Sequence, residues 1–78
     1  MITGRQIRMA RIALRWRIDD LSKKSGIPWA RIQKLERIDG LPESGVEKIE
    51  LLEKVFNENG IIFINSTDEH SETIVVKK

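Results

Sequence analysis

A Gly-Ile-Pro break separates two short segments of helical periodicity in the stretch LSKKSGIPWARIQKLE. Gly26 readily takes the left-handed conformation that ends a helix, and Ile27 is held extended by the proline that follows it. Pro28 suits the first turn of a new helix. The pattern therefore predicts one helix at 19–25 and another at 28–36, joined by a tight turn that limits how the two can pack.

A further helix is predicted before this pair. Thr3 and Gln6 have the spacing of a capping box. Ile7, Ala10 and Leu14 follow on one helical face. The first 17 residues are also rich in arginine and free of acids, as in a transit peptide or a helix on a membrane surface. Since the next residues continue one compact pattern, we expect a packed helix instead.

A fourth helix is predicted from Ser44, which forms a second capping box with Glu47. Its apolar face consists of Val46, Ile49, Leu52 and Phe56, and the helix should run to Asn57 before Asn59 and Gly60 end it. Beyond it, the β-branched and aromatic runs 61–64 and 73–76 flank a polar stretch at 65–72. This arrangement predicts a short C-terminal β-hairpin.

The composition excludes several classes of protein. The chain of 78 residues has the length of one small domain and contains no cysteine, which rules out disulfides, thiolate metal sites and cysteine nucleophiles. No apolar run approaches the roughly 20 residues of a membrane span, so a cytoplasmic protein is expected. The single histidine, His70, has no partners at metal-ligand spacing, and no catalytic grouping is present. We expect no enzyme, metal or cofactor.

Charge is divided along the chain. Residues 1–37 carry ten Lys and Arg against three acids, about +7, whereas residues 38–78 carry four against nine, about −5. A basic half beside an acidic half indicates that the first half faces a polyanion.

With these residues in place, segment 21–36 resembles the helix-turn-helix of the Xre-type family, which includes Cro and the phage repressors. The matching residues are Leu21, Gly26, Ile27, Ile32, Leu35 and Glu36, with Ser22 in place of the usual small alanine. Ile7, Arg11, Leu14 and Trp16 fall where the family has its first-helix residues. The resemblance covers about residues 5–60. It implies a mainly helical, four-helix lambda-repressor-like domain at 1–60, with 61–78 as a β segment of the same compact domain.

The resemblance also implies roles for individual residues in a transcriptional regulator, most simply a repressor. Helix 28–36 would enter the major groove of double-stranded DNA. The base-reading residues would be Trp29, Ala30 and Lys34, with Gln33 nearby. The phosphate contacts would be Arg17, Arg31, Arg37, Ser44, Gly45 and Lys48. Arg11 and Glu36 would form a partly buried structural salt bridge. Trp29 could equally pack against the core, and Gln33 and Lys34 could form an ordinary solvated surface.

The chain departs from the family pattern at several places. Arg15 stands where many relatives have glycine, which predicts a strained or rearranged turn. Ile18 replaces a phosphate-contacting glutamine, Pro28 replaces serine or threonine, and the loop after the third helix carries acids at Asp39 and Glu43. These changes leave open two alternatives: an antitoxin-like or other protein interaction module, and a helix-turn-helix that serves only assembly.

The C-terminal β segment predicts a homodimer through residues 61–77. A hairpin of two short strands leaves an apolar face and an open edge that a second copy can cover. The competing expectation is that the hairpin folds back onto the fourth helix, covers Leu51 or Val55, and leaves a monomer.

Overall fold

The computed structural model describes residues 2–37, 46–65 and 72–77, which form four helices and one two-stranded antiparallel sheet. In chain order the elements are α1 (Gly4–Ala13), α2 (Ile18–Ser25), α3 (Trp29–Glu36), α4 (Val46–Glu58), β1 (Ile61–Asn65) and β2 (Glu72–Val76). The predicted mainly helical architecture with a C-terminal hairpin is confirmed.

α1 begins at the predicted capping box. The Thr3 hydroxyl accepts a hydrogen bond from the Gln6 backbone N–H at 3.2 Å, and the Gln6 side-chain oxygen accepts one from the Thr3 N–H at 3.1 Å. Ile7 and Ala10 are buried on its inner face, as their spacing indicates. The helix ends at Ala13, so Trp16 lies beyond it and not within it.

The turn after α1 is strained where the sequence departs from glycine. Arg15 has φ +60°, a left-handed conformation that costs a residue with a Cβ about 1–2 kcal/mol. The turn brings Trp16 against α4, where its ring stacks on that of Phe56 with 5.9 Å between the ring centroids. Lys24 Nζ lies 5.0 Å from the same ring, within reach of a cation–π contact. The expected irregularity at Arg15 is therefore present.

The link between α2 and α3 is the predicted glycine turn. Gly26 has φ +76°, and its N–H donates to the Ser22 carbonyl at 2.8 Å. The Ser22 hydroxyl donates to the Ile27 carbonyl at 2.6 Å, so this side chain also fastens the turn. α3 begins at Trp29, one residue later than predicted, with Pro28 as its capping residue. Leu21 and Ile27 are buried with the inner face of α3.

α4 contributes Ile49, Leu52, Val55 and Phe56 to the core. The prediction that Val46 shares this face is wrong: Val46 is exposed, because the neighbouring elements do not cover its side chain. The predicted start at Ser44 falls outside the described residues. At the other end, the Asn59 side chain donates to the Val55 carbonyl at 2.8 Å, and Gly60 turns the chain with φ +89°.

The two strands pair in antiparallel register, with Ile61 opposite Val76 and Phe63 opposite Ile74. Each strand is one residue longer than predicted, because Asn65 pairs with Glu72 at the far end of the ladder. Backbone pairing extends past the apolar runs from which the strands were predicted.

The hairpin docks on the helices through one face. Ile61 is buried, and Phe63 and Ile74 pack against the core. The Phe63 ring meets Phe56 edge-on at 5.8 Å. The hairpin therefore folds back towards α4, which is the first part of the competing expectation, and the oligomeric state stays a prediction. Val55 of α4 is buried, whereas Leu51 stays exposed.

Gln6 links the two ends of the described chain. Its side-chain N–H group donates to the Ile64 carbonyl of β1 at 3.3 Å and to the Thr73 carbonyl of β2 at 3.1 Å. The side chain is fully buried, so these bonds satisfy an amide that would otherwise cost free energy to desolvate. One residue of α1 thus fixes both strands.

Candidate nucleic-acid interface

The position of α3 is fixed by an ion pair with α1. Arg11 Nε and Nη2 donate to the two carboxylate oxygens of Glu36 at 2.8 and 2.9 Å, and Nη1 donates to the Trp16 carbonyl at 3.1 Å. The side chains are only 16 % and 7 % exposed. The hydrogen bond to Glu36 raises the pKa of the Arg11 guanidinium, which is positively charged in any case. The expected Arg11–Glu36 pair is present and bidentate.

The buried residues of α3 show which side of the helix faces outward. Ile32, Leu35 and Glu36 are buried, so the opposite side of the helix is left to solvent. The residues on that side form what we call the outer stripe: Ala30, Gln33 and Lys34, together with Arg37 just after the helix. All are exposed except Gln33, which is half-buried. The stripe brings together three of the four residues expected to read bases.

The fourth, Trp29, lies at the first position of α3 with 44 % of its surface exposed. The other three aromatic residues of the chain, Trp16, Phe56 and Phe63, form one packed cluster. With this much surface in solvent, Trp29 does not cap the core, and its contact with bases stays a prediction. In the sequence, Trp29 directly precedes Ala30, the first residue of the outer stripe.

Two predicted phosphate contacts share a separate place. Arg31 and Lys48 line a shallow depression where α3 meets the start of α4, together with Val46 and Glu47. Within the described part of the chain, Arg31 Nε is buried and finds no hydrogen-bond acceptor. The depression is therefore basic, although the Glu47 carboxylate at its border reduces its attraction for an anion.

The remaining predicted contacts are dispersed. Arg17 is exposed just before α2, and its backbone N–H donates to the Asp20 carboxylate at 2.8 Å. Arg37 is exposed at the end of α3. Ser44, Gly45 and His70 lie outside the described residues.

Comparison of the chain with protein families, curated proteins and solved structures found no match. The site must therefore be interpreted from its own geometry. No group of three or more His, Cys, Asp or Glu side chains in the described ranges could hold a metal ion. No described helix is long and apolar enough to cross a membrane.

Sequence reasoning missed the long-range role of Gln6 and the hydroxyl bond of Ser22. Gln6 was expected only to cap α1, because its partners in the strands lie 58 and 67 residues away and leave no local signal. Ser22 was expected only to be small. Its bond to the Ile27 carbonyl could have been suspected, because Ser22 lies only five residues before Ile27 and serine hydroxyls commonly bond to nearby backbone groups.

Proposed function

We propose that this protein is a cytoplasmic, sequence-specific DNA-binding regulator of the Xre type, acting as a repressor. In this proposal α2 and α3 form a helix-turn-helix, and α3 enters the major groove of double-stranded DNA. Trp29, Ala30, Gln33 and Lys34 read base edges. Arg17, Arg31, Arg37 and Lys48 contact phosphates, with the backbone at Ser44 and Gly45.

The observation that carries the proposal is the outer stripe of α3. A recognition helix needs a rigid support on one side and free hydrogen-bonding groups on the other. Here the Arg11–Glu36 pair and the Ser22 bond provide the support. The lysine, amide and arginine of the stripe face away from the core.

Electrostatics agrees with this arrangement. The excess of positive charge lies in residues 1–37, which include α1, α2 and α3. Away from the depression that holds Arg31 and Lys48, the exposed residues of α4 include Glu50 and Glu58. A duplex would therefore be attracted to the helices that hold the outer stripe and repelled from the outer side of α4.

The decisive experiment measures binding of the full chain to the DNA just upstream of its own gene and to a shuffled duplex, at several salt concentrations. Lys34→Ala should weaken specific binding by about five- to 150-fold, because a base contact is lost. Arg37→Ala should weaken both duplexes alike and reduce the salt slope by about one.

The matched control is Lys54→Ala, which removes one exposed lysine from α4, beside Glu50 and Glu53. This variant should bind like the parent. Loss of affinity in Lys54→Ala equal to that in Lys34→Ala would reject α3 as the reader and leave only a general charge effect.

A second candidate function is a protein interaction module, such as an antitoxin. It is favoured by the outer face of the hairpin, where Ile62, Ile64 and Val75 are 39 to 45 % exposed. Three large apolar side chains on one side of a two-stranded sheet are suited to contact another protein. The same face could also bind a second copy of the chain, so a protein partner and a homodimer would compete for it.

A further inference from the structure

α3 has a single carboxylate, and that carboxylate is already occupied. All eight residues of α3 are described, and Glu36 is the only acid among them. Both of its oxygens accept hydrogen bonds from Arg11, and the side chain is 7 % exposed. Glu36 is therefore buried against Arg11 and is not presented to a ligand on the outer side of the helix.

The polar groups left on that side are mostly donors. Lys34 carries three N–H donors and no acceptor, and the Trp29 indole carries one donor. Arg37, just after the helix, carries donors alone. The side-chain oxygen of Gln33 is the one acceptor that these residues offer, and Gln33 is half-buried. The outer stripe is thus rich in donors and poor in acceptors.

Base edges in the major groove differ in just this property. Guanine presents two acceptors, N7 and O6, whereas cytosine presents the N4 amino donor. Resting on the proposed function, we propose that Lys34 selects guanine over cytosine at one base pair of each half-site. The preference comes from the hydrogen bond that Lys34 donates to guanine. It is not offset by Glu36, because that carboxylate is paired with Arg11 and offers cytosine no acceptor.

The surroundings of Lys34 suit this role. Long side chains on a helix lean towards its N-terminus, so the stem of Lys34 extends over the preceding turn. That turn presents Ala30, whose methyl group is too short to block the path. Lys34 and Ala30 are both exposed. The ammonium group can therefore reach the floor of a groove while the alanine allows close approach of the backbone.

The test is selection of bound duplexes from a randomised library by the full chain, followed by affinities for sites that differ at one base pair. The parent should enrich guanine at one position of each half-site and bind it about five- to 150-fold more tightly than cytosine there. Lys34→Glu should change the preference at that position to cytosine, since a carboxylate accepts from N4. Lys34→Ala should remove the preference.

Arg37→Gln is the matched control, because it removes a neighbouring charge without altering Lys34. It should weaken all duplexes and keep the guanine preference. A parent that binds duplexes without preferring guanine overturns the inference while the proposed function stands, and so does an unchanged preference in both Lys34 variants. Failure of the parent to bind any duplex rejects the proposed function, and the inference with it. Melting curves for each variant establish that it is folded.

Discussion

The largely buried salt bridge between Arg11 and Glu36 holds α1 and α3 together, and removing either partner should destabilise the fold. Burial of a single charge is costly unless it is paired, and breaking a buried pair leaves the other charge uncompensated. The guanidinium makes three hydrogen bonds, two to the carboxylate and one to the Trp16 carbonyl. The pair therefore fixes both the approach of α3 and the turn after α1.

We predict that Glu36→Ala lowers the free energy of unfolding by about 2–4 kcal/mol, because it strands the Arg11 charge in a largely shielded site. Arg11→Lys should cost less, since the charge is kept although the two-point geometry with Glu36 and the bond to the Trp16 carbonyl are lost. Chemical denaturation of both variants measures the difference. Glu50→Ala, at an exposed position on α4, is the control and should stay within about 0.5 kcal/mol of the parent. A Glu36→Ala protein as stable as that control would show that the pair contributes nothing to folding.

At the scale of elements, two helices end in glycine turns that have different requirements: Gly26 follows α2 and Gly60 follows α4. Gly26 and Gly60 both have positive φ. A Cβ added at Gly26 would meet nothing within 4 Å, whereas at Gly60 it would lie 2.8 Å from the Lys77 carbonyl oxygen. The Lys77 N–H donates to the Gly60 carbonyl at 2.6 Å, so the end of β2 lies against this turn. The first turn needs only conformational freedom, and the second also needs space.

We therefore predict that Gly26→Ala destabilises the protein by about 1–2 kcal/mol, the cost of a left-handed residue that carries a Cβ. Gly60→Ala should cost clearly more, because backbone atoms must also shift to relieve the contact. Thermal melting of the two variants side by side tests this order. Equal losses would mean that the Lys77 segment yields without cost.

The elements were largely predictable because their signals are local. The capping box of Thr3 and Gln6, the glycine turn and the β-branched runs each depend on neighbours in sequence. Val46 was misassigned because periodicity indicates which face is apolar but not how far the neighbouring elements cover it. The bonds from Gln6 to the strands could not be predicted, since nothing in the sequence around residue 6 specifies partners in the hairpin.

The candidate site was predictable in part for the same reason. The family resemblance singled out Ala30, Gln33 and Lys34, and helical spacing places them together on one side of α3. The pairing of Arg11 with Glu36 required knowledge of how α1 crosses α3, and that came from the family resemblance. The depression shared by Arg31 and Lys48 depends on the meeting of two helices and had no local signal.

For the molecule as a whole, the hairpin has one face against the helices and one towards solvent. Ile61, Phe63 and Ile74 are used internally. Ile62, Ile64 and Val75 remain on the other side. Removing the whole hairpin would also remove core residues, so dimerisation is better tested by changing the outer face alone.

We predict that the full chain is a dimer at micromolar concentration and that Ile62→Thr combined with Ile64→Thr makes it a monomer with unchanged helical content. Threonine keeps strand propensity while reducing the apolar surface available to a second copy. Light scattering gives the mass, and circular dichroism gives the helical content. Ile12→Thr is the control, because it removes a still more exposed isoleucine side chain from α1, outside the hairpin. A monomeric parent, or a double variant that stays dimeric, would contradict the proposed interface.

The buried Gln6 amide has a consequence for the order in which the chain folds. Its bond to Thr73 closes a loop of 67 residues, nearly the full length of the chain. Closure entropy grows only with the logarithm of loop length, so this bond costs about 1 kcal/mol more than closing a loop of 20 residues. The cost falls once the helices between have packed and brought the ends together. We therefore predict that the bonds from Gln6 to the two strands form after the helices between them have packed.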